Sequence, residues 1–204
     1  MAARSPKRHA AAPLSKPAYF PPAQVVTRTL PPELAQQREF ENYHFIGLDL
    51  GEANLAGWRF SDCLLENCNL AGATLTHTAL QNVAFAGCKL LGLPFHRCRE
   101  LLFAVHFDQC QLDYASFVGR AMPHTRFIGC SLQETDFTEA DLTGAVFQDC
   151  SLRRAVFQHT TLAGADFSTA QEVELDPAAN NVRQARFALH SLPGLLTQHG
   201  LVVV

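Results

Sequence analysis

From Leu132 to Phe167 a large apolar residue falls on every fifth position: Leu132, Phe137, Leu142, Phe147, Leu152, Phe157, Leu162 and Phe167. This period matches neither an amphipathic helix nor a half-buried strand, so the repeat itself is the folding unit. The same frame runs back through Phe127, Met122, Phe117, Leu112 and Phe107 to Leu102, slips by two residues, and resumes from Phe95 back to Phe40. Two residues before most of these stands a small one, among them Ala53, Cys63, Cys68, Ala73, Thr78, Cys88, Cys110, Ala115, Thr135, Ala140, Cys150 and Ala165. Trp58, Val83, Leu93, Glu100, Val105 and Arg120 are among the exceptions.

The units ANLAG, CNLAG, ADLTG, TTLAG and ADFST, at residues 53–57, 68–72, 140–144, 160–164 and 165–169, resemble those of the pentapeptide-repeat family. The resemblance covers about residues 40–187. It implies an all-β fold, a right-handed quadrilateral parallel β-helix with one pentapeptide per side and four per coil, closed by a short C-terminal helix. Residues twenty apart must then stack, and the sequence agrees: Leu70, Leu90, Leu112, Leu132 and Leu152 form one column, with Cys68, Cys88, Cys110, Cys130 and Cys150 beside it. A second column holds Leu55, Leu75, Phe95, Phe117, Phe137 and Phe157. A third holds Phe60, Leu80, Leu102, Met122, Leu142 and Leu162. A fourth holds Leu65, Phe85, Phe107, Phe127, Phe147, Phe167 and Phe187. A bulky residue at the centre of each side leaves room only for small residues at the corners. With coils about 4.8 Å apart, roughly seven coils make a rod on the order of 35 Å long, with side surfaces for binding and no obvious pocket.

Three regions follow. Residues 1–38 form a basic, Pro-rich N-terminal extension with seven of the eleven prolines, a composition that predicts disorder to about residue 20. Its Arg- and Ala-rich, acid-free start also has the character of an organelle transit peptide, but it lacks the apolar core of a secretory signal. Residues 39–187 are the β-helix. Residues 188–204 are a C-terminal cap, with Ser191 starting a short helix, Pro193 in its first turn, Gly200 as the stop and a closing LVVV strand. Leu192, Leu195 and Leu196 share one side of that helix. Related proteins use this segment to dimerise, so the resemblance implies a homodimer through the C-terminus.

Seven cysteines could signal disulfides or metal, yet six occupy the small inward position, where a thiol acts as a small hydrophobe. Only Cys98 falls off the frame, which places it at the insertion as the most reactive thiol. No Cys-x-x-Cys pair or zinc-like Cys/His spacing occurs, so neither metal nor cofactor is expected. Free core thiols suit a reducing cytoplasm. No stretch is long and apolar enough for a membrane helix.

Charge is uneven. Residues 1–38 carry six bases and one acid, residues 39–176 eight bases and eighteen acids, and residues 177–204 two bases, giving +5, −10 and +2. Glu134, Asp136, Glu139, Asp141, Asp149 and Asp166 are the candidate partner-binding acids, and Glu134 and Arg154, twenty residues apart, are predicted to pair. An acidic rod as wide as a duplex suggests DNA mimicry, carboxylates standing in for phosphates on a basic protein surface. Pentapeptide proteins of the quinolone- and albicidin-resistance types bind bacterial type II topoisomerases, so the resemblance implies DNA gyrase or topoisomerase IV as partner, protection from poisons, and no direct nucleic-acid binding. The run NNVRQARFALHSLPGLL looks closest to the albicidin-resistance branch. The other readings are a scaffold or effector for a different protein partner, and a surface kept soluble by excess acid. Catalysis is not expected: the histidines are scattered, there is no Gly-rich phosphate loop, and no Ser/His/Asp set or HExxH is present.

Overall fold

The structure, a computed structural model, describes residues 24–199. Its strands, in chain order, are β1 (Gln24–Thr27), β2 (Glu39–Glu41), β3 (Tyr43–Ile46), β4 (Arg59–Ser61), β5 (Leu64–Glu66), β6 (Ala79–Gln81), β7 (Val83–Ala86), β8 (Val105–Asp108), β9 (Arg126–Ile128), β10 (Val146–Gln148), β11 (Asp166–Phe167) and β12 (Arg186–Phe187). A helical turn, α1 (Pro32–Gln37), lies between β1 and β2. One side of the solenoid is a nine-stranded parallel sheet in the order β1-β3-β5-β7-β8-β9-β10-β11-β12, and the side before it in the chain is built on β2-β4-β6. The other two sides, and the continuation of the β2-β4-β6 side, are joined by single parallel bridges such as Ser131↔Ser151, Ser116↔Asp136 and Ala121↔Asp141. The register is twenty residues, as in Phe127↔Phe147, and becomes twenty-two across the insertion, as in Phe85↔Phe107. The expected right-handed parallel β-helix is therefore the fold, with about eight turns in a rod of about 40 Å at the usual strand spacing. Gln24–Thr27, inside the stretch set apart in the sequence as an extension, already pair in register with Tyr43–Ile46.

Each pentapeptide meets the same physical demand. The bulky residue fills the tube, and the residue two positions before it must be small because it turns a corner against the coil below. At several of these positions a Cys or Thr also donates a hydrogen bond to a carbonyl of the preceding coil: Cys88 Sγ to Leu65 O (3.3 Å), Cys150 Sγ to Phe127 O (3.4 Å), Thr135 Oγ1 to Leu112 O (2.9 Å) and Thr160 Oγ1 to Phe137 O (2.9 Å). Asn180 ends this series, donating to Phe157 O at 3.0 Å. The residue two positions after the bulky one takes positive φ, which is why Asn67, Asn82 and Asp149 stand there: short polar side chains tolerate the left-handed region best after glycine.

Phenylalanine dominates two opposite sides and stacks along them. Phe127, Phe147 and Phe167 lie at centroid separations of 4.9 and 4.6 Å with nearly parallel rings, and Phe95, Phe117, Phe137 and Phe157 form the facing ladder. The ladders meet edge to face across the tube, as Phe147 does with Phe137 at 5.9 Å and 85°, a geometry aromatic quadrupoles favour. Phe187 stacks on Phe167 at 5.2 Å, so it belongs to the solenoid. Leucine replaces phenylalanine nearer the N-terminus and leaves a void of about 10 Å³ among Leu55, Leu65, Leu75, Phe85 and Phe95, room for at most one water and lined by nothing that would hold it. Trp58 and Tyr43, too large for their small positions, pack with Phe40, Phe45 and Phe60 into an aromatic plug at that end.

Three expectations are corrected. Leu102 does not fill the third column: it is 59% exposed with φ +60°, and Phe103 packs against the core instead. Cys98 is not off the frame but 4% exposed, because the upstream frame continues one unit further and the two extra residues are absorbed after it. The C-terminal segment is not an α-helix capped by Ser191; Leu189–Leu195 and Thr197–His199 are 3-10 turns, and Ser191 is buried. The cause is close docking of this segment on the last coil. Leu175 N–H donates to Gly194 O, and a Cβ at Gly194 would lie 1.9 Å from Val173 O. Gly200, the LVVV strand and the expected disorder before residue 20 fall outside the described residues.

Candidate binding surface

With the tube filled, chemistry is confined to the outer positions flanking each bulky residue and to the corners. The residue just before the bulky one is often Asp or Asn for a local reason. Its Oδ1 accepts the N–H two residues on, as Asp49 does from Gly51, Asn69 from Ala71, Asp136 from Thr138, Asp141 from Thr143 and Asp166 from Ser168, at 2.9 to 3.2 Å. These are side-chain turns. Part of the rod's acidity thus serves the backbone; the second carboxylate oxygen of Asp166 takes Arg186, while those of Asp136 and Asp141 remain for other partners.

The six candidate acids do not form one patch. Glu134, Asp136, Glu139 and Asp141 lie on a single coil across two adjacent sides and their corners, Asp136 in the Ser116–Val156 bridge column and Asp141 in the Ala121–Thr161 column. Asp166 lies on the nine-stranded side, and Asp149 at the corner just after it. Glu134 does pair with Arg154, at 3.2 Å, and Asp166 with Arg186, at 3.1 Å. In both pairs the arginine is exposed and the acid partly so, so they add little stability. On the nine-stranded side Arg126 N–H points to His106 Nδ1 at 3.4 Å, and burial, helped by the Arg126 charge, lowers the His106 pKa.

All seven thiols are buried and unpaired. Burial pushes Cys63 up to about 11 and Cys98 up to about 12, against the opposing pull of Arg120. Cys110 is held at about 12, chiefly by its Cys130 neighbour. Such thiols are inert. Among the described residues no group of three His, Cys, Asp or Glu could hold a metal ion, and no helix is long and apolar enough to cross a membrane.

The feature the sequence did not show is how the insertion is braced. Arg120 occupies a small inward position, 4% exposed, and its guanidinium donates to the carbonyls of His96 and Cys98 while lying 5.2 Å over the Phe103 ring. In the two coils below, the matching carbonyls, Trp58 O and Thr78 O, accept the N–H of Ala79 and Arg99. Arg120 thus supplies a donor where the extra residues interrupt the ladder. Above this brace His96, Arg97, Arg99 and Glu100 are exposed and Leu101 is 81% exposed. The only sequence signal was an arginine in a position reserved for small residues.

A family model described as a pentapeptide repeat region matches residues 38–117 and 94–167. The chain belongs to the pentapeptide-repeat family. No curated protein matches it significantly. Among solved structures, a trypsin-treated form of QnrB1, a plasmid-mediated fluoroquinolone resistance protein, aligns with 89% of this chain and 99% of its own at 15% identity and a TM-score of 0.53. Full-length QnrB1 aligns over 88% of this chain and 98% of its own at 18% identity and 0.42. HetL, a pentapeptide-repeat protein involved in heterocyst differentiation in the cyanobacterium Nostoc sp., aligns over 82% and 86% at 18% and 0.38. At 15% identity the likeness to the trypsin-treated form of QnrB1 concerns the fold alone.

Proposed function

We propose that this pentapeptide-repeat protein is a non-enzymatic DNA mimic that binds a bacterial type II topoisomerase, DNA gyrase or its topoisomerase IV counterpart, in the cytoplasm and protects it from poisons. The observation that carries the reading is the net −10 over residues 39–176, arranged on a filled rod whose binding chemistry is all on the outside. Carboxylates at Asp136, Glu139, Asp141, Asp149 and Asp166 project from several sides of the rod, as phosphates do around a duplex. A basic groove built for DNA would meet them without a pocket on this chain. In the same reading the exposed Leu192 and Leu196, with Leu195 tucked between them and the core, form a homodimer contact at the C-terminal end.

The test is a gyrase supercoiling assay with and without a fluoroquinolone or albicidin, run across salt. Exposed charges more than about 10 Å apart are screened near 0.1 M, so binding must weaken as salt rises, and duplex DNA must compete. Asp136→Lys with Asp141→Lys is expected to abolish inhibition or protection. Asp136→Asn with Asp141→Asn keeps the turn acceptor and removes only charge, so it should weaken the effect less. Micromolar protein without salt-sensitive binding to either topoisomerase would refute the mimic in favour of a scaffold for another protein.

A further inference from the structure

The side carried by β2, β4 and β6 has opposite net charge at two heights, Arg97 and Arg99 outweighing exposed Glu100 at one and Glu139 and Asp141 standing at the other. Arg59 pairs in register with Ala79, and Arg99 N–H bonds to Thr78 O just as Ala79 N–H bonds to Trp58 O, so Arg59, Ala79 and Arg99 are successive rungs of one column. Ala121, Asp141 and Thr161 continue that column beyond the insertion. The corner beside it runs through His77, Arg97, Gly119 and Glu139, with Arg99 Nε donating to His77 O at 3.0 Å. The opposite corner runs through Leu102, His124 and Gly144. Arg97 and Arg99 therefore sit one coil to one side of Gly119 and Ala121, and Glu139 and Asp141 one coil to the other. The two exposed leucines, 101 and 102, stand beside the arginines.

We propose that this side is a lateral contact for a second copy of the chain, packed antiparallel about a two-fold axis at the level of Gly119 and Ala121. The symmetry dictates the pairing, because a two-fold lying in the contact plane and across the rod inverts height while keeping each column opposite itself. Arg97 then faces Glu139 of the second copy, Arg99 faces Asp141, and both exchanges occur twice. Gly119 and Ala121 let the rods approach on one half of the side, while exposed Pro123 and His124, at the same height on the other half, face their own copies across the axis. The apolar pair at Leu101–Leu102 meets the Thr143–Gly144 corner, where the His124 ring lies over Gly144 and offers a flat face, and loses its exposure. A parallel arrangement would set arginine against arginine. The Arg120 brace holds the insertion rigid, so little ordering is required on association. One side of a solenoid this short is small for a permanent interface, so the contact is a weak, salt-sensitive one, separate from the C-terminal leucines. It covers Glu139 and Asp141, which makes it a competitor of any partner that uses them.

Sedimentation equilibrium of the full chain tests this, with Leu192→Ser and Leu196→Ser introduced to silence the C-terminal contact. At about 25 mM salt the mass should rise toward twice the chain mass at tens of micromolar, and at about 0.5 M it should fall to one. Arg97→Glu with Arg99→Glu, or Glu139→Lys with Asp141→Lys, should weaken association at least about tenfold, and Leu101→Ser with Leu102→Ser should weaken it at any salt. The combined fourfold reversal should restore it, because the same pairs form with exchanged signs. A monomer under all conditions, a dimer indifferent to either reversal, or a fourfold variant that stays monomeric would each overturn the proposal.

Discussion

Phe147→Ala probes whether the stacked rings act as one core. Phe147 is fully buried between Phe127 and Phe167, at 4.9 and 4.6 Å, with Phe137 and Phe157 edge-on at 5.9 and 6.3 Å. Truncation removes the ring from a tube whose walls are hydrogen-bonded coil to coil and cannot collapse inward. The cost should therefore sit at the upper end of the roughly 3 to 5 kcal/mol typical of buried Phe→Ala changes, with about 0.5 to 1.5 kcal/mol for each lost aromatic pairing already contained in that range. Phe147→Leu is the control, since Leu65 fills the same column two coils before Phe107; it should cost only about 1 to 2 kcal/mol. Urea unfolding followed by circular dichroism measures both, and the fluorescence of Trp58, in the N-terminal plug, reports that end separately. In a solenoid stabilised coil by coil, the alanine variant should unfold its C-terminal half first and split the two signals. A loss below about 1 kcal/mol, or equal losses for Ala and Leu, would refute the reasoning.

Arg120→Ala should be unusually damaging for a polar-to-alanine change, because it leaves the buried Cys98 carbonyl and the half-buried His96 carbonyl without a donor; a loss of about 1 to 3 kcal/mol in the same titration, little rescued by Lys, is expected. All seven thiols, Cys98 included, should resist alkylation at pH 8 in native protein and react together on unfolding; rapid modification of Cys98 alone would show the insertion open. His106 has its pKa lowered in the folded state, so the unfolded chain binds the proton more tightly. Its contribution is present above the ordinary histidine pKa and is lost as pH falls through the folded value. Thermal midpoints from pH 8 to 5 should therefore decline less steeply in His106→Asn than in the parent chain.

The sequence carried most of the fold because a filled tube imposes the same steric demand at every turn. A bulky residue at Phe147 and a small one at Ala145 are read directly, without knowing what they touch. The Glu134–Arg154 pair followed from stacking alone and was found. Legibility failed where the constraint changed. At the insertion, counting in fives put Leu102 in the core and Cys98 outside it, although the backbone spends its extra residues after Cys98 and lets Phe103 fill the tube. At the C-terminus, helical periodicity described a free helix, whereas docking of Gly194 against Val173 tightened the segment into 3-10 turns. The surface was the least legible part, because its residues answer to no packing rule. Asp136 and Asp141 look like parts of an acidic site, yet each also holds its own turn.

Net charge illustrates the same point more sharply. A value of −10 summed over the solenoid describes the field that a distant basic protein experiences, and at long range this is what steers association. At contact distance the sum is uninformative, since one side of the rod presents Arg97 and Arg99 two coils from Glu139 and Asp141. A uniform acidic surface would repel a second copy from every direction. A side with separated charges repels it in the parallel orientation and attracts it in the antiparallel one. The lateral dimer and the topoisomerase complex would then draw on the same two carboxylates, so charge reversal at Arg97 and Arg99 should weaken self-association while strengthening any binding to a basic groove. Because that reversal also makes the whole rod more acidic, Arg153→Glu with Arg186→Glu, exposed positions off this side, is the control: opposite movements of the two affinities seen only on reversal of Arg97 and Arg99 would mean that both contacts use this side of the solenoid.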